Sequence, residues 1–173
     1  MIAIGDKGPQ NSLPDTTGAD VAFPAGKASV VVFTCNHCPY ALAWHDRLLT
    51  VASEYADRGV QTVLVNPNDA ERYPRDSFDA MRERVEGEGP WPAPYLRDES
   101  QDVARAYDAK TTPDVFVFDS GGVLRYRGAP DADHMDEQQN AVWLRAALDA
   151  VLDGGDVSEP ETRPVGCSIK WKP

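Results

Sequence analysis

Residues 28–40 read Ala-Ser-Val-Val-Val-Phe-Thr-Cys-Asn-His-Cys-Pro-Tyr. The first six are mostly apolar and rich in β-branched side chains, the pattern of a short strand covered on both faces. Pro39 opens a different pattern. Ala41, Trp44, His45, Leu48, Ala52 and Tyr55 fall on one stripe at helical spacing, which predicts a helix from Pro39 to Asp57 with Gly59 as its stop. Gln61–Asn66 is a second buried-strand pattern. The unit is therefore strand–helix–strand, a parallel pair with a right-handed crossover. Cys35-Asn36-His37-Cys38 lies where the first strand meets the helix.

Outward from this unit the punctuation is clear. Pro9, Pro14, Gly18, Pro24 and Gly26 mark the first 26 residues as loops with at most short strands. Asn66-Pro67-Asn68-Asp69 is a loop, Asp76–Val85 a helix, Gly87–Pro94 a Gly/Pro-rich loop and Ser100–Tyr107 a helix. Lys110-Thr111-Thr112-Pro113 follows. Asp114–Asp119 and Val123–Tyr126, joined by Ser120-Gly121-Gly122, predict an antiparallel hairpin. A last helix spans Gln138–Leu152, with Ala141, Leu144, Leu148 and Val151 on one side, and Gly154-Gly155 ends it. Residues 156–173 carry Pro160, Pro164 and Pro173 and are expected to form an irregular tail. Residues 1–173 thus read as a single α/β domain.

Composition narrows the function. The chain has 173 residues, 42% apolar, and a formal net charge of −11. Phosphate-backbone binding needs clustered Lys and Arg, so nucleic acid is not expected as a partner, and neither is an anionic membrane surface. The acidic residues are spread along the chain, as on a solvated surface. The N-terminus lacks a basic region followed by an apolar run, and no apolar stretch approaches the roughly 20 residues that span a bilayer, so a cytoplasmic location is expected. Three cysteines are an odd number, and a chain of this length does not need stapling.

The order β, Cys-x-x-Cys, α, β, helix, Thr-Pro, hairpin, helix resembles the thioredoxin superfamily. Three elements carry the resemblance: Cys35-Asn36-His37-Cys38 at a strand–helix junction, Thr112-Pro113 ahead of a strand, and the closing hairpin and helix. The long lead-in and the Asn66–Pro94 insertion look like the redoxin branch, which includes the alkyl-hydroperoxide-reductase/thiol-specific-antioxidant proteins. The ending Gly166-Cys167-Ser168-Ile169-Lys170-Trp171 is similar to that of a bacterial group within this branch. The resemblance implies a thioredoxin-like central mixed sheet flanked by helices. It also implies a cis Thr112-Pro113 bond facing the cysteines, with the Thr112 backbone free to pair with an extended substrate strand.

The chemistry of the pair follows from its position. Free cysteine has a pKa of about 8.5, and only the thiolate attacks a disulfide. A helix N-terminus offers unpaired N–H groups and the positive end of the dipole. Cys35 is expected to occupy that end, to be the more exposed, and to act as the attacking thiol, with Cys38 as resolver. Asn36 and His37 would tune the pair, since an imidazole beside a thiol favours thiolate. Two departures from the thioredoxin pattern stand out. Thr34 replaces the usual Trp, and Ala28–Phe33 holds no carboxylate to serve as a proton acceptor. Asn66, Asp69 and Glu71 are the candidates for that role. Cys167 is a candidate third redox thiol, weighed against a small buried residue of the tail.

The expected activity is thiol–disulfide exchange on protein or small-molecule disulfides and thiols, with no cofactor. Two rivals remain. A peroxidase would use a Pro-x-x-x-Thr-x-x-Cys loop and an arginine. Cys38-Pro39 resembles the end of that loop, with Arg125 or Arg127 as the arginine, but Cys35 and Val31 stand where the threonine and proline would be. A zinc site would need Cys167 with His37, His45 or His134, without a second short ligand pair to fix geometry, and a Cu(I) site would draw on Cys35, Cys38 and Cys167. Trp91, Trp143 and Trp171 read as packing residues. Trp44 reads as core, though with Tyr40 it could line a groove, and Asp131–Asp136 with His134 reads as a solvated loop. No glycine pattern suits a nucleotide.

Overall fold

The computed structural model describes residues 2–173. Strands β1 (Asn11–Pro14) and β2 (Asp20–Phe23) form an antiparallel hairpin. β3 (Ala28–Phe33) leads through the cysteine loop into α1 (Pro39–Ala56) and then β4 (Val60–Asn66). α2 (Phe78–Glu88), β5 (Tyr95–Arg97) and α3 (Asp102–Tyr107) follow. Next come β6 (Thr111–Thr112), β7 (Asp114–Asp119), β8 (Leu124–Gly128) and α4 (Val142–Leu152), and β9 (Cys167–Ser168) lies in the tail. The main sheet has the order β5-β4-β3-β7-β8. β3 runs parallel to β4 and antiparallel to β7, so the sheet is mixed, with β3 at its centre. This is the thioredoxin-like architecture expected from the sequence.

Period-two alternation splits β3 between two apolar layers. Val30 and Val32 face Trp44, Leu48 and Leu148 from α1 and α4, whereas Val31 and Phe33 face Val103, Ala104 and Tyr107 from α3. All six residues of β3 are buried, which explains its near-continuous apolar run. Each fully buried Val or Phe contributes about 1.5–3 kcal/mol of transfer free energy, enough to pin the strand end where the cysteine loop departs.

Several boundaries differ from the periodicity, each for a local reason. Pro74–Asp76 forms a separate 3-10 turn, and α2 starts at Phe78 because the Ser77 side chain accepts the Ala80 N–H as its cap. α4 starts at Val142 rather than Gln138, because Asn140 and Ala141 adopt positive φ of 53° and cannot continue the Glu137–Gln139 turn into a helix. β5 is only three residues long and follows the Gly/Pro-rich loop without a sequence signal of its own. The Asp131–Asp136 segment is not simply solvated. Asp131 is buried and accepts bonds from Trp44 Nε1, Arg47 Nη1 and the Ala141 N–H.

The tail is also more ordered than its prolines suggest. β9 pairs antiparallel with β6, setting Cys167 opposite Thr112. Gly166 permits this approach: a Cβ there would lie 2.3 Å from the Thr112 carbonyl oxygen. Ile169 is buried in the α3-side layer, and the Lys170 carbonyl accepts from Gln101 Nε2 at 2.9 Å and from the Asp69 N–H at 2.8 Å. Among the described residues no helix is long and apolar enough to cross a membrane.

Candidate active site

The cysteine loop begins where β3 ends in the middle of the sheet. Its last residue, Cys38, is the N-cap of α1, and Pro39 takes the first helical position. There its missing N–H costs nothing. Cys35 therefore lies in the loop before the helix, and Cys38 meets the helix N-terminus. This corrects the expected placement of Cys35 at the helix end, because with Pro39 at the first helical position the cap falls on Cys38. Neither thiol is exposed: Cys35 is 1% and Cys38 0% accessible, while Cys167 is half-buried.

One residue links the three sulfurs. Cys35 Sγ is 3.4 Å from Thr112 Oγ1, and Cys38 donates to the Thr112 carbonyl oxygen at 3.1 Å. Thr112 pairs in register with Cys167, so its backbone is already occupied by the chain's own tail rather than free for an incoming strand. The Thr112-Pro113 bond is cis. The Cys35, Cys38 and Ala41 side chains form a small apolar cluster, with Tyr40 and Cys167 packed against it. All three cysteines are free thiols in this structure.

Electrostatics divide the pair. The Cys38 thiol is held well below the usual thiol range, first by the Cys35 S–H and then by the Cys167 thiol and the backbone N–H groups of Ala41 and Cys167, against the opposing cost of burial. Cys35 is raised, because it keeps the proton shared with Cys38, because it is buried and because the Asp76 carboxylate faces it. Cys167 is pushed up to about 11 by burial and by Cys38. With both protons present Cys38 points its S–H at Thr112. With one proton lost, the remaining S–H is on Cys35 and donates to Cys38.

The residues between the cysteines are held by a buried carboxylate that sequence reasoning passed over. Asp76 Oδ1 accepts from the Asn36 N–H at 2.7 Å and from Asn66 Nδ2 at 3.1 Å. Its Oδ2 accepts from Asn68 Nδ2 at 3.0 Å and contacts His37 Nδ1 at 2.5 Å. Asn36 Oδ1 accepts from the Tyr95 hydroxyl at 2.8 Å and from Arg84 Nη1 at 3.0 Å. Of the carboxylate candidates, Asp69 is paired with Arg72 at 2.8 Å instead. Asn66 donates to Asp76 and to the Tyr95 hydroxyl, and Glu71 is exposed with its N–H on Asp69. Asp76 escaped notice because an acid at the start of a helical pattern already has an explanation in the helix dipole.

The rival site sets come apart. Arg125 pairs with Asp119 and Asp156, and Arg127 donates to the Ile2 and Asp108 carbonyls, so neither serves the cysteines. His45 packs on Trp91 and His134 on Tyr40. Cys35 Sγ, a His37 ring nitrogen and an Asp76 oxygen do lie within 4.8 Å of one another. Both Asp76 oxygens already accept hydrogen bonds, Oδ1 from the Asn36 N–H and Asn66 Nδ2 and Oδ2 from Asn68 Nδ2, so this carboxylate serves as a structural acceptor rather than as a free ligand.

The AhpC/TSA family model matches residues 4–127. The chain belongs to the AhpC/TSA family. The match ends before α4 and the tail, so Cys167 lies outside the region this AhpC/TSA protein shares with the family model. An uncharacterized conserved protein from Geobacillus kaustophilus is 40% identical, covering 100% of this chain and 94% of its own, with a TM-score of 0.93. A hypothetical protein from Sinorhizobium meliloti 1021 is 36% identical over 99% and 96%, with a TM-score of 0.91. A candidate thiol:disulfide interchange protein, DsbE, from Chlorobium tepidum has a TM-score of 0.69 at 23% identity, covering 88% of this chain and 99% of its own, and shows the shared fold alone. Comparison with the curated proteins returns no match.

Proposed function

We propose that this AhpC/TSA protein is a thiol–disulfide oxidoreductase whose Cys35–Cys38 pair cycles between dithiol and disulfide. The observation that carries this reading is a pair of buried sulfurs clustered together at the start of α1, each also bonded to Thr112. A low-pKa sulfur with a neighbouring thiol is what exchange requires: the thiolate attacks, and the neighbour resolves. The helix N-cap and the converging donors favour Cys38 as the thiolate, with Cys35 as its partner, the reverse of the order that Cys-x-x-Cys position alone suggests. Asn36 and His37 set the loop through Asp76.

The test compares turnover of a protein disulfide, of a small-molecule disulfide and of hydrogen peroxide by wild type, Cys35→Ser and Cys38→Ser. Disulfide turnover that is lost in Cys38→Ser and lowered in Cys35→Ser is the expected result. Peroxide turnover that exceeds disulfide turnover and survives in Cys35→Ser would replace this reading with a peroxidase. Limited alkylation of the reduced protein at pH 6 assigns the roles: label on Cys38 before Cys35 is expected, and the opposite order exchanges the two roles.

A further inference from the structure

The buried pair has no direct opening to solvent, and the segment covering it carries a third thiol. Cys35 and Cys38 are essentially inaccessible, whereas Cys167 is half-buried. The Cys167 thiol lies against the Cys38 sulfur, on the strand that pairs with Thr112. That pairing places a cysteine beside the reactive pair much as a bound substrate strand would. It is specified by the chain, since Gly166 leaves room for the Thr112 carbonyl and Ile169 anchors the far side. Cys38 is thus the middle sulfur of three, in contact with Cys35 on one side and Cys167 on the other.

We propose that Cys167 is the outward-facing member of a three-thiol relay and the point at which external thiols reach the buried pair; this rests on the exchange reading above. Starting from the Cys35–Cys38 disulfide, the Cys167 thiolate attacks Cys38 Sγ. The Cys38–Cys167 bond forms, the Cys35–Cys38 bond breaks, and Cys35 leaves as thiolate and takes up the proton that Cys167 gave up. No electrons enter or leave in this step. An external thiol RSH then attacks Cys167 Sγ, giving a Cys167–SR mixed disulfide and releasing Cys38 as thiolate. A second RSH releases Cys167 and RSSR. The net reaction is protein disulfide plus 2 RSH to protein dithiol plus RSSR, and it runs in reverse with a disulfide oxidant. The order suits the electrostatics, because the sulfur released from Cys167 is the one best stabilised as thiolate.

The relay predicts a disulfide that a two-cysteine site never makes. The full-length Cys35→Ser variant, oxidised with one equivalent of diamide, quenched in acid and mapped by mass spectrometry, should yield an intramolecular Cys38–Cys167 bond. Oxidised Cys167→Ser should still contain Cys35–Cys38 but be reduced by glutathione at least tenfold more slowly than wild type. Gly166→Ala keeps all three cysteines while pushing β9 off Thr112, and should show the same slowing, so the comparison survives if Cys167→Ser folds poorly. The relay is overturned if Cys35→Ser gives only free thiols or intermolecular disulfides, or if both tail variants are reduced at the wild-type rate. These results differ from failure of the exchange reading itself, which would appear as no Cys35–Cys38 disulfide in oxidised wild type.

Discussion

Asp76, at the end of a 3-10 turn, and Asp131, in a loop, are both buried aspartates that accept several hydrogen bonds, and they differ in what they face. Asp131 meets a guanidinium: Arg47 Nη1 lies 2.9 Å from its Oδ2 and 3.1 Å from its Oδ1, and Trp44 Nε1 and the Ala141 N–H complete the set. Its charge is matched by a residue that is always protonated. Among the described residues, Asp76 meets no guanidinium or ammonium through its carboxylate. Its partners are the Asn36 N–H, two amide side chains and the His37 imidazole, which carries charge only when protonated. A permanently matched carboxylate fixes structure. One matched only by dipoles and an imidazole, beside a pair of thiols, is placed to influence proton and charge chemistry.

The strongest way to break this contrast is to remove the matched partner. Asp131→Ala leaves the Arg47 charge buried without its counter-ion, and breaking a buried pair in this way typically costs about 3–5 kcal/mol. Urea unfolding should show a loss of that size, while the disulfide-exchange rate per folded molecule stays at the wild-type value. A lowered exchange rate with unchanged stability would reverse the division between structural and chemical aspartates.

Asp114 sharpens the contrast as a buried carboxyl with still less support. It accepts the Lys110 N–H at 2.9 Å through Oδ2, while Oδ1 has no partner. Burial raises its pKa to about 7. Since the folded pKa lies above the unfolded value of 3.8, the native state binds the proton more tightly. Stability from this group is therefore greatest in acid and falls as pH rises between about 4 and about 7. One proton corresponds to a slope of ~1.4 kcal/mol per pH unit, on the order of 4 kcal/mol over the window. Asp114→Asn should remove that slope from unfolding free energies measured across pH 4–8. An identical slope in the variant would show that the acid dependence arises elsewhere.

The same contrast explains what the sequence could reveal. Ala28–Phe33 is legible because burial on both faces writes an unbroken apolar run, and α1 because its stripe repeats at helical spacing. The cysteine pair and the Thr-Pro bond are local motifs and were equally readable. Asp76, Asp131 and the seat of Cys167 were not. Each depends on partners far away in the chain: Asp131 lies 84 residues from Arg47, and Cys167 is positioned by Thr112 across a two-residue ladder. A polar residue in a loop pattern reads the same whether it faces water or a buried donor, since periodicity records apolar faces and carries no signal for hydrogen-bond partners. The start of α1 at Pro39 was legible as well, since proline fits the first helical position, but the pattern before it does not say which cysteine becomes the cap.

The smallest expected effect on stability is at Asp76 itself, and it is the most informative about the site. Asp76→Asn preserves shape but turns one acceptor oxygen into an NH₂ donor, facing N–H groups that already need an acceptor. An unsatisfied buried donor costs about 1–3 kcal/mol, so the variant should be less damaged than Asp131→Ala. Its effect on the thiols should have a definite sign. An Asp76 oxygen lies within 4.8 Å of Cys35 Sγ and repels the single negative charge of the reduced pair, so neutralising it stabilises that pair. The reduction potential of Cys35–Cys38 should therefore rise, by roughly 30 mV for each 1.4 kcal/mol of stabilisation, when measured against a glutathione redox buffer. Asp131→Ala should leave that potential in place. A potential that does not move in Asp76→Asn, or that moves equally in both variants, would mean that the Asp76 charge is not felt by the sulfurs and that it only braces the loop.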